Sequence, residues 1–118
     1  LLDPTKEVRQ PGKTGHIIWC RAVKEADECH KNKSADKIFQ EGVNAMGLAE
    51  RLLLEDFIIY QKWGEHLDAK NVSLCAGSRY LDGDVPLVSW DTDDRGLSVD
   101  WCNSCSAGGA LRVREVVS

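Results

Sequence analysis

The chain has 118 residues, a formal net charge of −4, and apolar and charged fractions of 42% and 29%. These values are ordinary for a folded protein, and the length predicts one domain that can bury a core of its own. No run of about 18 apolar residues occurs, which argues against a transmembrane helix. The 15 basic residues are not clustered, so neither nucleic acid nor an anionic membrane surface is an expected partner.

The first 15 residues contain two prolines, two glycines and mixed charges without periodicity. We predict a flexible N-terminal arm over residues 1–15, followed by a single domain over 16–118. Between Gly15 and Lys31, Trp19, Val23 and Ala26 fall three or four positions apart, which predicts a helix. The run over residues 16–20 is also compatible with a strand that leads into this helix.

The stretch from Ser34 to Leu67 has the strongest pattern in the chain. An uninterrupted helix of this length would extend about 50 Å, whereas a domain of this size is about 30 to 35 Å across. We therefore expect a break near Gly42 or Gly47, and Ser34 is the predicted N-cap. The predicted buried face consists of Ile38, Phe39, Val43, Ala45, Met46, Ala49, Leu52, Leu53, Phe57, Ile59, Tyr60, Trp63 and Leu67. The predicted outer face consists of Lys37, Glu41, Asn44, Arg51, Glu55, Lys62 and Glu65.

After Asn71 the apolar period changes from 3.6 to 2, and turn residues separate the runs. The predicted strands are a weak one within 72–80, then 85–90, 97–102 and 111–117, with a tight turn at Asp82-Gly83. Short connections favour an antiparallel meander of three or four strands that packs on the N-terminal helices, which is an α+β fold. The predicted core face of this sheet consists of Val88, Trp90, Leu97, Val99, Trp101, Leu111 and Val113.

Two of the five cysteines form the motif Cys102-Asn103-Ser104-Cys105. With Trp101 it resembles the W-C-x-x-C outline of thioredoxin-type redox sites, and this resemblance implies a reactive cysteine at a helix N-terminus. Only 13 residues follow Cys105, too few for the rest of that fold. A reversible disulfide in a hairpin loop is the remaining redox hypothesis. The odd number of cysteines favours a reducing compartment such as the cytoplasm.

The same motif could supply half of a zinc site, because two cysteines in a turn can face one metal ion. Candidates for the other half include Cys29 and His30, although no second C-x-x-C occurs. Ordinary thiols or a structural disulfide are the alternative interpretation. No other cofactor is indicated.

The tryptophans Trp19, Trp63, Trp90 and Trp101 could line a ligand pocket between helices and sheet. A core role is the alternative, since each lies on a predicted buried face. No nucleophile elbow, phosphate-binding loop or His-Glu-x-x-His motif occurs. We therefore expect a non-enzymatic domain that binds a partner protein or a small ligand at its helix–sheet surface. The alternative is a thiol-based function centred on Cys102 and Cys105.

Overall fold

Two short helices precede most of the strands in this α+β protein, as the sequence predicts. The computed structural model describes residues 2–7, 19–20, 25–57 and 66–117. The helices are α1 (Ala35–Gln40) and α2 (Leu48–Phe57). The strands are β1 (Trp19–Cys20), β2 (Val72–Leu74), β3 (Val85–Asp91), β4 (Gly96–Cys102), β5 (Leu111–Arg112) and β6 (Val116–Val117), and 3-10 turns span Pro4–Lys6 and Glu28–His30.

The predicted break in the long helical stretch is confirmed. Helix α1 begins after Ser34, whose Oγ accepts the Lys37 N–H at 3.1 Å as an N-cap. It ends before Gly42, which adopts a φ of +70° and reverses the chain direction. The predicted residues 58–65 of the stretch lie outside the described part of the chain.

The four-stranded sheet has the order β4-β3-β2-β5. Strands β2, β3 and β4 form the expected antiparallel meander, whereas β5 pairs with β2 in parallel, so the sheet is mixed. The final predicted strand divides in two, because β6 leaves this sheet and pairs with β1. The prediction of a helix at Trp19 is wrong, and the strand alternative for this position is confirmed.

One face of the sheet packs on α1. Ala35 and Ile38, three positions apart on α1, share the apolar core with residues that point to the same side of the sheet. That core consists of Ala35, Ile38, Ala45, Leu74, Val85 and Val113, with Val43, Ala76, Leu87 and Cys102 packed against it.

The opposite face of the sheet carries a buried charged network. Both Arg51 Nε and Arg114 Nε donate to Ser73 Oγ at 3.1 Å. Asp68 Oδ1 accepts from Arg114 Nη2 at 3.0 Å, and Arg51 Nη2 lies 3.1 Å from Asp68 Oδ2 in the geometry of an ion pair rather than an aligned hydrogen bond. Glu55 Oε1 is 3.7 Å from Arg51 Nη1. Two positive and two negative groups therefore share one buried region.

This network overturns part of the predicted helix pattern. Arg51 and Glu55 were expected on the outer face, but both are buried. Phe39 and Leu53 were expected in the core, but both are exposed. On α2 the reason is that Arg51 pairs with Asp68 and Glu55 accepts the Leu67 N–H, and helical periodicity cannot reveal these partners on the loop before β2.

The N-terminal residues 2–7 lie against the segment before the Asp82-Gly83 turn. Leu2 bridges to Tyr80, and the Asp3 N–H donates to the Arg79 carbonyl at 2.7 Å. Residues 8–15 of the predicted arm lie outside the described part, and the division at residue 15 stays a prediction. Among the described residues, no helix has the length and apolar character needed to cross a membrane.

Candidate functional site

Strand β4 presents an apolar stripe to solvent. Leu97, Val99 and Trp101 are 40%, 46% and 64% exposed. The sequence predicts that these three side chains cover the helices, and this prediction is wrong. They lie opposite Trp90, Val88 and Pro86 on β3, so they share the face that carries the charged network. Helix α2 contacts β3 on that face, whereas β4 lies at the sheet edge, beyond the area that α2 covers.

The backbone of the same stripe also points outward. In an antiparallel sheet, successive residues direct their N–H and C=O groups alternately to the two neighbouring strands. The Cys75 N–H donates to the Pro86 carbonyl, and the Trp90 N–H donates to the Asp68 carbonyl, so these β3 residues face away from β4. Their partners on β4, which include Leu97 and Trp101, consequently direct their backbone groups away from β3. Within the described ranges, β4 forms one end of the sheet.

A surface cleft continues the stripe at its Trp101 end. It has a volume of about 470 Å³. The Tyr80 hydroxyl donates to the Asp100 carbonyl at 3.4 Å, which ties one wall to β4. The cleft therefore combines an aromatic surface with nearby carboxylates, a combination that suits a cationic side chain. Its lining residues are Tyr80, Leu81, Asp82, Asp84, Val99 and Trp101.

Acidic residues border both ends of the stripe. The segment 82–100 contains six aspartates and one arginine, a net charge of −5. At the far end, the Asp91 carboxylate accepts the N–H groups of Asp93 and Asp94 at 3.0 and 3.1 Å and closes the hairpin turn. At the near end, Asp82 and Asp84 line the cleft. The negative charge of this border attracts positively charged groups.

The Cys102-Cys105 motif lies at the end of β4, in a loop that contacts α1. The Asp36 N–H donates to the Ser104 carbonyl at 3.0 Å. Burial raises the pKa of the Cys102 thiol, and the nearby Asp84 carboxylate raises it further. Cys105 is exposed, and both cysteines are free thiols. A raised pKa reduces the thiolate population, which is unfavourable for a nucleophilic redox cysteine.

Of the four predicted metal or redox candidates, His30 alone belongs to a metal-ligand cluster of the described residues. Cys29 is its neighbour in the 3-10 turn but is exposed, whereas His30 is buried. The side chains that converge with His30 are the carboxylates of Asp27 and Glu115. Spacing in the sequence could not reveal this group, because 85 positions separate His30 from Glu115.

The described tryptophans have three different environments. Trp19 on β1 is 70% exposed. Trp90 stacks on the His66 ring with an interplanar angle of 6°. Trp101 lines the cleft beside β4. Trp63 lies outside the described residues, so its assignment to a ligand pocket stays a prediction.

Sequence reasoning missed the part of the cleft that comes from Tyr80, Leu81, Asp82 and Asp84. The Asp-Gly turn predicted the bend at this position but not its closeness to β4. An aromatic residue immediately before an acidic turn is the signal that could have indicated a surface site. Comparisons with family models, curated proteins and solved structures find no match for this chain.

Proposed function

We propose that this protein is a non-enzymatic binding domain that holds an extended, basic segment of a partner protein along strand β4. The observation that carries the proposal is the apolar stripe Leu97-Val99-Trp101 on a strand whose outer backbone groups face away from the sheet. An extended peptide can add to such an edge through main-chain hydrogen bonds, with alternate side chains packed on the stripe.

The charge around the stripe supports a basic partner. Asp82 and Asp84 in the cleft can bind a lysine or arginine side chain, while the Trp101 ring offers its π face. The aspartates of the hairpin turn can bind a second basic residue about 17 Å further along the strand, at roughly 3.4 Å per residue. The expected ligand therefore has apolar residues at alternate positions that face the stripe and a basic residue near each end.

A second copy of this chain is a poorer occupant of the same edge. Two copies of β4 would bring two acidic segments together, and like charges oppose such pairing. The thiol-based alternative also has less support, because burial raises the pKa of the Cys102 thiol and lowers its reactivity.

The proposal is tested with a capped octapeptide that has valine at alternate central positions and a lysine at each end. We expect binding that slows amide hydrogen exchange at Leu97 and Val99, as measured by NMR. Trp101→Ala should weaken the affinity by about tenfold or more, since a tryptophan that both lines the cleft and belongs to the stripe is expected to carry much of the binding energy. Added salt should also weaken it, because the attraction is partly electrostatic.

Trp19→Ala is the matched control, because Trp19 has a similar exposure and lies on the other sheet. It should leave peptide affinity unchanged. Equal affinity for the same octapeptide with glutamate in place of both lysines would contradict the charge argument. Unchanged peptide affinity in Trp101→Ala would contradict the proposed binding site on β4. A concentration-dependent dimer that Trp101→Ala abolishes would show that a second copy of the chain occupies this edge instead.

A further inference from the structure

We infer that Asp27, His30 and Glu115 form a binding site for a divalent transition-metal ion. Each residue offers one ligand atom, and these atoms all lie within 4.8 Å of one another. One imidazole and two carboxylates are a donor set that zinc accepts, with a fourth position left for water. This inference is independent of the proposed peptide binding, because none of the three residues lies on β4 or lines its cleft.

The imidazole is the feature that points to a ligand. His30 is 7% exposed, and its Nε2 lies 2.8 Å from Glu115 Oε1. Its Nδ1 is buried and has no hydrogen-bond partner among the described residues. An unpaired buried ring nitrogen is costly, at about 1 to 3 kcal/mol. When the ring carries its proton on Nδ1, Nε2, the nitrogen that faces Glu115, is free to bind a metal.

The backbone holds the three ligands in place before any ion binds. Asp27 caps the 3-10 turn Glu28–His30, and the His30 N–H at the end of this turn donates to the Asp27 carbonyl at 3.1 Å. The Glu115 N–H donates to Asp27 Oδ2 at 2.8 Å, and Glu115 also bridges to Ala45. The ligands are therefore positioned by main-chain contacts, which lowers the entropic cost of assembling the site.

The spacing requires a small rearrangement of the side chains, because ligand atoms up to 4.8 Å apart must approach by as much as about 1.4 Å. Two ligands of a tetrahedral zinc ion with bonds near 2.1 Å stand about 3.4 Å apart. His30 Nε2 and Glu115 Oε1 are 2.8 Å apart and need to separate by only about half an ångström by that standard. Calcium and magnesium should bind less well, because both prefer sites made entirely of oxygen.

The experiment is a zinc titration of chelator-treated protein, followed by calorimetry and by thermal denaturation. We expect one zinc ion per chain at this site and a higher melting temperature with excess zinc, because an ion that binds only the folded state stabilises it. His30→Gln and Glu115→Gln should each lower zinc affinity by at least tenfold. Glu28→Gln changes an exposed carboxylate on the same 3-10 turn and should leave the affinity unchanged.

If thiols hold the zinc, the cysteine variants and not the His30 variant should lose zinc binding. Binding that survives His30→Gln, or that disappears when Cys29 and Cys105 are replaced by serine, would overturn the inference. Absence of zinc binding at millimolar concentration would overturn it as well. Glu115→Gln keeps the backbone contact to Asp27, and circular dichroism of that variant separates loss of ligand from loss of fold.

Discussion

At the scale of single residues, burial has its largest effect on a cysteine pKa at Cys75. Cys75 is buried directly after β2, next to the charged network. Burial raises the pKa of its thiol from 9.0 to about 12. The folded state therefore retains the Cys75 proton over a pH range in which the unfolded chain releases it.

The sign of the resulting pH dependence follows from proton binding. Between about pH 9 and pH 12 the folded state binds more protons at Cys75, so the free energy of unfolding falls as pH rises. We expect a contribution of at most about 1.4 kcal/mol per pH unit. Urea unfolding at several pH values from 8 to 10 measures this slope. The slope should become shallower in Cys75→Ala. It should stay unchanged in Cys29→Ala, which alters an exposed thiol. Equal slopes in all three proteins would contradict the assignment of the pH dependence to Cys75.

At the scale of elements, the segment between α1 and α2 explains why the helical stretch is interrupted. The Met46 N–H donates to the Arg114 carbonyl at 2.9 Å, and the Val116 N–H donates to the Asn44 carbonyl at 2.8 Å. The Gly77 N–H donates to the Met46 carbonyl at 3.1 Å. Backbone groups of residues 44–46 therefore form hydrogen bonds with distant segments of the chain, which a continuous helix would not allow.

The contact at Gly77 leaves no space for a side chain. A Cβ atom there would lie 2.5 Å from the Ala45 carbonyl oxygen, and backbone atoms cannot move aside easily. We expect Gly77→Ala to lower the free energy of unfolding by about 1 to 3 kcal/mol. Gly109→Ala is the control, because nothing lies within 4 Å of its added Cβ. Denaturant titration of the two variants checks the prediction, and equal stabilities would contradict it.

At the scale of the whole molecule, Asp68 joins segments from most of the described chain. Its carboxylate accepts from Arg51 on α2, from Ser73 on β2 and from Arg114 near the C-terminus. It also accepts the Ala26 N–H at 2.7 Å. Because two arginines depend on this one carboxylate, the network couples the N-terminal segment, α2, the sheet and the C-terminal segment.

Asp68→Asn tests this coupling with almost no change in shape. It leaves two buried guanidinium groups without their main counter-charge, so we expect a loss of about 3 to 5 kcal/mol in the free energy of unfolding. Asparagine also tolerates the φ of +54° at this position. Asp94→Asn, on the exposed hairpin turn, should change stability by less than about 0.5 kcal/mol. A loss of similar size in both variants, measured by thermal and urea unfolding, would show that Asp68 has no special role.

The sequence alone determined the helical or extended character of α1, α2, β3 and β4, although it predicted a helix at Trp19, where the chain forms a strand. Periods of 3.6 and 2 separate α1 and α2 from β3 and β4, and Ser34 and Gly42 indicate where the first helix begins and ends. It also supplied His30 as a metal candidate. These features depend on neighbours in the chain, so local chemistry is sufficient to predict them.

Only the tertiary structure decided which faces are covered. Alternation shows that Leu97, Val99 and Trp101 share a side, but not that α2 stops short of them at the sheet edge. Helical spacing places Arg51 among charged residues, but not beside Asp68. Burial, the parallel pairing of β5 and the meeting of His30 with Glu115 depend on contacts between distant segments. A pattern in the sequence records which residues point the same way, whereas packing determines what they meet.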